Sequence, residues 1–139
     1  MSKVSVSTKI NTSADEVWKT ICDFSAVGKY ITTIANVTME GSGVGALRVL
    51  TRKDGTQIVE RLENVDPQAR TLRYAIVSSP LPLKNYVSTM KVRDLGANRC
   101  KLEWSSTFEA TGAPEADVEK LIENVYSRGF NGLKKLHGS

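Results

Sequence analysis

From Ile34 to Ala110 the chain reads as extended segments broken by turns, and one long amphipathic helix follows. This order constrains the fold more than any other feature. An antiparallel sheet buries one apolar face, and only elements outside the run of strands can cover it. The segments are Ile34 to Glu40, Val44 to Lys53, Thr56 to Val65, Thr71 to Val77, Leu83 to Asp94 and Arg99 to Ala110. Gly41-Ser42-Gly43, Asp54-Gly55, Asp66-Pro67-Gln68-Ala69, Pro80 with Pro82, and Gly96 separate them. Val4, Val6, Thr8 and Ile10 alternate with polar residues and supply a further strand at the N-terminus. About seven strands joined by short connections predict a mostly antiparallel meander.

Two short helices fall between the first strand and the rest. Ser13 with Glu16 forms a capping box, and Val17, Trp18 and Ile21 recur at helical spacing, so a helix begins near Ala14. A second helical turn spans Ser25 to Tyr30. After the breaker Thr111-Gly112-Ala113-Pro114, the residues Val118, Leu121, Ile122, Val125, Tyr126, Leu133 and Leu136 trace one side of a helix ending near His137. Acidic residues gather at its N-terminal end and lysines at its C-terminal end, as the helix dipole favours. The fold class is therefore α+β, a curved antiparallel sheet around one long C-terminal helix. At 139 residues one domain, 1–139, is expected.

A strongly twisted sheet of this size is wider than one helix can fill, so a cavity is expected between them. Gly129 and Gly132 lie on this helix where bulk would otherwise sit. They either leave room for a ligand or let the helix approach the sheet closely.

Composition excludes several classes. With 40% hydrophobic and 24% charged residues the chain is globular, and it carries no apolar run long enough for a membrane span. Its N-terminus lacks the apolar stretch of a secretory signal, which reads as a cytoplasmic protein. The net charge of +4 is scattered and not interleaved with aromatics, so nucleic acid is not an expected partner. Cys22 and Cys100 stand alone, without metal-ligand spacing, and read as reduced structural thiols. His137 is the single histidine and lies at the chain end, and no GxSxG elbow, phosphate-cradling loop or metal cluster occurs. No cofactor or metal is called for, and no catalytic residue is assigned.

The residues that stand out are polar ones on apolar strand faces. Ile58, Glu60 and Leu62 alternate, which places a carboxylate among inward-facing residues, and a buried charge needs a partner. Arg48 is the candidate. A two-residue Asp54-Gly55 loop of type I′ pairs Val49 with Glu60 and turns Arg48 outward, whereas a three-residue loop turns it inward. Tyr74 lies between Leu72 and Ile76, and Tyr86, Ser88 and Met90 share one face of a later strand. Trp104 shares a strand face with Leu102 and Ser106, and Val125 and Gly129 lie on the C-terminal helix. Apolar bodies with a few hydroxyls are the usual lining of a small-molecule site, and equally of an ordinary core.

At this point the chain resembles a family. A strand, Ser-Ala-Asp-Glu-Val-Trp opening a short helix, a glycine turn, a run of strands and a C-terminal helix are similar to the START/Bet v 1-like (SRPBCC) superfamily. Within it the resemblance is to the polyketide cyclase/dehydrase-like group and the related plant abscisic acid receptors. Gly45-Ala46-Leu47-Arg48, Glu60-Arg61-Leu62-Glu63 and Leu83-Lys84-Asn85-Tyr86-Val87-Ser88 carry it. The resemblance implies a helix-grip fold with a cavity between sheet and C-terminal helix, and it implies that Glu60 is a polar residue of that cavity. Departures occur at two rim loops. Where the receptors have a Ser-Gly-Leu-Pro-Ala gate and a Gly-Asp-His-Arg-Leu latch, this chain has Arg52-Lys53-Asp54-Gly55-Thr56 and Ser79-Pro80-Leu81-Pro82-Leu83, so no hormone-gated partner switch is implied.

The expected function is binding of a small hydrophobic molecule, lipid-like, polyketide or aromatic, by Arg48, Glu60, Leu62, Tyr74, Ile76, Tyr86, Ser88, Trp104, Val125 and Gly129. A cyclase/dehydrase-like enzyme using Glu60 is the first alternative, and a module that meets a protein partner through its rim loops is the second. Whether an unfilled interior exists separates these readings.

Overall fold

The computed structural model describes residues 1–138. Strand β1 (Ser2–Ile10) leads into helix α1 (Ala14–Cys22) and a short 3₁₀ helix (Phe24–Lys29). Six strands follow: β2 (Ile34–Glu40), β3 (Leu47–Arg52), β4 (Gln57–Asp66), β5 (Thr71–Ser78), β6 (Leu83–Gly96) and β7 (Arg99–Ala110). Helix α2 (Glu115–Leu136) closes the chain. The strands form one antiparallel sheet in the order β1-β7-β6-β5-β4-β3-β2. This is the helix-grip fold.

Local chemistry sets the boundaries. The Ser13 side chain accepts a hydrogen bond from the Glu16 N–H at 3.2 Å and starts α1. Asp23 caps the 3₁₀ helix through the Ser25 N–H. Helix α2 has no side-chain cap at Pro114, but Glu115 and Asp117 in its first turn and Lys134 and Lys135 in its last complement its dipole. Strand β3 begins at Leu47, three residues later than its apolar pattern predicts. Gly43 and Gly45 take positive φ, and the Gly45 N–H donates to the Leu62 carbonyl before ladder pairing starts.

A bulge in β6 affects the interior. Asn85 has φ +55°, and the β6–β7 register shifts between Lys84 and Val87. Lys84 and Asn85 both face solvent, so Leu83 and Tyr86 both point inward despite an odd spacing. From Tyr86 on, Ser88, Met90 and Val92 continue the buried face.

Helix α2 lies mainly over β1 and β7 and against the 3₁₀ helix, not over the middle of the sheet. Val118, Ile122, Tyr126, Phe130 and Leu133 form its buried stripe, facing Leu102, Trp104 and Phe108 of β7. The two helix glycines serve this approach. A Cβ on Gly132 would stand 1.9 Å from the Tyr30 carbonyl oxygen, and one on Gly129 would stand 2.6 Å from Trp104 Cζ3. Of the two readings of Gly129, close helix-to-sheet packing is the one this geometry carries, because the Trp104 ring already occupies the adjoining space.

Gly132→Ala should therefore destabilise the protein although alanine favours a helix by about 1 kcal/mol. The Tyr30 backbone cannot rotate away as a side chain can, so a net loss of about 2 kcal/mol and a Tm lower by roughly 6 °C are expected by thermal denaturation. An unchanged or raised Tm would contradict the close approach.

Candidate functional site

The β3–β4 hairpin decides which side chains meet. Its loop is Lys53-Asp54-Gly55, and the Arg52 N–H donates to the Thr56 carbonyl at 2.8 Å. Gly55 alone takes positive φ, at +88°, and its N–H donates to the Arg52 carbonyl. The loop is a type I turn closed by one left-handed residue, not the two-residue type I′ turn that Asp-Gly suggests. The extra loop residue sets the register so that Arg48 pairs directly with Glu60 and both face inward.

These two residues are 3% and 7% exposed. Arg48 Nε and Nη2 both reach Glu60 Oε1, at 2.8 and 2.7 Å. Arg48 Nη1 donates to the Phe24 carbonyl at 2.9 Å, and the guanidinium lies 3.8 Å over the Phe24 ring and 5.0 Å from the Tyr74 ring centre. The cation is thus held by a carboxylate, a carbonyl and two aromatic faces. Burial acts to lower the Arg48 pKa, but the field of Glu60, with Tyr30 and Tyr74, holds it above the ordinary value. Burial raises the Glu60 carboxyl, and Arg48 opposes the rise. Glu60 Oε2 takes no hydrogen bond from the described residues.

A second polar group lies beside this pair. Trp104 Nε1 donates to Ser88 Oγ at 2.9 Å and to the Tyr74 hydroxyl at 3.2 Å. Ser88 Oγ donates to the Ser105 carbonyl, so it must accept from the Tyr126 hydroxyl, 3.1 Å away. Tyr126 then accepts from Tyr86, with which it forms a short hydrogen bond. Tyr86 in turn accepts from Tyr74 at 3.4 Å. Proton counting gives one direction: Tyr74 to Tyr86 to Tyr126 to Ser88 to the Ser105 carbonyl. Burial raises all three tyrosines, Tyr126 to about 12, so each remains a neutral hydroxyl at physiological pH. The long Tyr74–Tyr86 link is the weakest, and a polar atom of a ligand can replace it.

Between these groups and α2 lies a cavity of about 360 Å³. Ile34, Ile58, Glu60, Tyr74 and Ile76 form the sheet wall, Leu121, Ile122 and Val125 the helix wall, and Ile31 and Leu81 come from loops. Arg48, Tyr86 and Trp104 close its inner end, and the exposed Lys53, Asp54 and Arg128 stand at its mouth.

Of the residues singled out from sequence, Arg48, Glu60, Tyr74, Ile76, Tyr86, Trp104 and Val125 line this space. Leu62, Ser88 and Gly129 do not. Leu62 is packed into the core, Ser88 binds behind the tyrosines, and Gly129 is covered by Trp104. The open volume therefore lies nearer the N-terminal half of α2 than the glycines suggest. Sequence reasoning missed Phe24, whose carbonyl holds Arg48, because a six-residue 3₁₀ helix carries too little periodicity to orient its side chains. It also took Tyr126 for simple packing and left out the hairpin tip. His137 caps α2 against Thr20, at 3.1 Å, and does not line the cavity. Among the described residues no group of three or more His, Cys, Asp or Glu is placed to hold a metal ion. No described helix is long and apolar enough to cross a membrane.

The family model described as "polyketide cyclase / dehydrase and lipid transport" matches residues 1–138. The chain belongs to this family. Its fold is similar to protein XoxI of Bacillus cereus, at 29% identity and a TM-score of 0.92 over 99% of this chain and 96% of that one. It is also similar to norcoclaurine synthase of Thalictrum flavum, at 16% identity and a TM-score of 0.74 over 97% of this chain and 85% of that one. A third likeness is to the di-domain aromatase/cyclase BexL, at 16% identity and a TM-score of 0.77, covering 99% of this chain and 46% of that one. No curated protein matches the chain. The norcoclaurine synthase and BexL structures thus share the fold of this chain, and the cavity here lies between its sheet and its C-terminal helix.

Removing Arg48 exposes the cost of the buried carboxylate. In Arg48→Met, Glu60 loses its cation and its pKa rises further, so a loss of about 3 kcal/mol is expected near neutral pH. A carboxyl whose folded pKa lies above its unfolded value contributes stability that is complete below the ordinary carboxylate range and lost as pH rises through the folded value. The rise is larger in the variant, so the gap between wild type and Arg48→Met should narrow from neutral pH toward pH ~5. Denaturant titrations across that range check it, and a gap that widens on acidification would contradict the pairing.

Proposed function

We propose that the chain binds a small, largely apolar molecule in the cavity, with Arg48, Glu60, Tyr74 and Tyr86 orienting its polar atoms. The single observation that carries this reading is the composition of the space. Aliphatic walls from β4, β5 and α2 end on a buried ion pair and two linked hydroxyls, one of whose acceptor oxygens, Glu60 Oε2, has no described protein partner. Apolar burial supplies affinity and convergent polar groups supply orientation, as in most small-molecule sites. A cavity of roughly 150 Å³ holds one benzene, so about 360 Å³ suits a body of roughly two rings. The family description supports a lipid-like or polyketide-like ligand, and the norcoclaurine synthase structure holds dopamine and hydroxybenzaldehyde, which supports an aromatic one.

Val125 offers a test that leaves the polar groups untouched. Val125→Trp should fill the helix wall while its indole edge remains near the mouth. Native mass spectrometry of protein from its own host should show a bound small molecule in the wild type and none in the variant. A ligand at a hundred times its Kd stabilises a protein by about 2.7 kcal/mol, so the wild type should also melt higher with the recovered compound while the variant does not respond. No adduct under any growth condition, with an unresponsive Tm, would sink the reading.

One observation favours a catalytic variant of this function. Glu60 Oε2 is a carboxylate oxygen without a partner among the described residues, and Glu60 lines the cavity, which suits general-base work on a bound carbonyl compound whose oxygen accepts from Tyr74. If a reaction is found, Glu60→Gln should lower kcat at least about 100-fold. Retained turnover in that variant would leave binding as the function.

A further inference from the structure

The charges at the cavity mouth carry information that the interior does not. Inside, Arg48 and Glu60 cancel each other. At the mouth, Arg52, Lys53 and Arg128 stand with one carboxylate, Asp54, and among the described residues no other exposed titratable side chain lines the cavity. Asp54 is already committed. Its Oδ1 accepts from the Thr56 N–H at 2.9 Å and the Thr56 hydroxyl at 2.6 Å, which hold its carboxyl below the usual range, and Arg52 lies 4.0 Å away. Arg52 is committed as well, donating from Nε to Thr56 Oγ1 at 2.7 Å. Lys53 and Arg128 form no ion pair with the described residues. They come from different elements, the β3–β4 loop and α2, and border the same opening. The loop is also anchored, because the Lys53 N–H donates to the Thr33 carbonyl at 3.1 Å.

From this we infer that the cavity's ligand carries an anionic group, a carboxylate or comparable oxyanion, that sits between Lys53 and Arg128 while its apolar body fills the space below. The inference rests on the binding reading above and narrows it to anionic amphiphiles. A neutral body alone gives these two cations nothing to do. A cationic ligand would pass two like charges to reach Glu60, whose charge Arg48 already offsets.

The probes are naphthoate and its neutral counterpart naphthamide, measured by calorimetry on the full chain in low and in near-molar salt. A single solvated contact between unit charges is worth about a fivefold change in affinity, so naphthoate should bind wild type roughly tenfold or more tightly than naphthamide in low salt. That advantage should shrink in high salt. Lys53→Ala and Arg128→Ala should each weaken naphthoate by about fivefold and leave naphthamide unchanged, and Lys9→Glu, on the exposed side of β1, should alter neither by as much. Unchanged naphthamide binding also reports that each variant is folded with its cavity intact. Equal affinity of the two probes for wild type overturns the anionic preference while leaving the cavity reading standing. An equal loss in Lys9→Glu overturns the assignment to the mouth. If neither probe binds, both the inference and the binding reading it rests on fall.

Discussion

A single helix has to serve a sheet of seven strands, and where it lies sets everything else. Close contact with the end of the 3₁₀ helix requires backbone-to-backbone approach, met by Gly132 against Tyr30, and close contact with β7 requires ring-to-backbone approach, met by Gly129 against Trp104. Stacking of Trp104 on Tyr126, with ring centres 4.2 Å apart, fills the seam between helix and sheet. Tight packing on that side leaves much of the inner face of β3, β4 and β5 uncovered by α2, and the 3₁₀ helix reaches it through Phe24, at Arg48 and Tyr74. The cavity is thus a consequence of how well the other half of the interior is filled.

A face left open in this way cannot be uniformly apolar without inviting collapse or association. The interior resolves this with polar groups that satisfy one another. Arg48 and Glu60 neutralise each other, the Phe24 carbonyl takes one of the remaining guanidinium protons, and the tyrosine hydroxyls run in one direction to a backbone carbonyl. A network in which nearly every proton has an acceptor holds its side chains in fixed positions. The groups left over, Glu60 Oε2 and the loose Tyr74–Tyr86 contact, belong to residues that line the space.

The architecture was legible because it rests on periodicities that sequence expresses directly. Strand β7 begins and ends where its alternation does, the Ser13 cap marks α1, and the stripe on α2 meets its buried face at Val118, Ile122, Tyr126 and Leu133, although Phe130 joins that face and Leu136 is exposed. Details that hinge on a single residue were not. Asp54-Gly55 is compatible with loops of two or three residues, and only the position of left-handed Gly55 in the folded hairpin tells whether Arg48 faces in or out. The β6 bulge at Asn85 resets the alternation by one, which no period-two pattern anticipates. Gly129 and Gly132 signal a missing Cβ in either case, and what they make room for depends on a ring and a carbonyl from distant parts of the chain.

Glu60 shows how far such reasoning reaches. Its presence on an apolar strand face marks a site that needs a partner, and this follows from electrostatics alone. Whether the partner is a structural cation or a ligand is not an exclusive choice here. Oε1 receives both Arg48 contacts while Oε2 receives none from the described residues, so one side chain both holds the interior together and lines the cavity. The double role has an energetic consequence. A ligand donor placed at Oε2 adds a hydrogen bond to an ion whose desolvation Arg48 already offsets in part, so the protein's own pairing lowers the cost of using a buried charge for recognition.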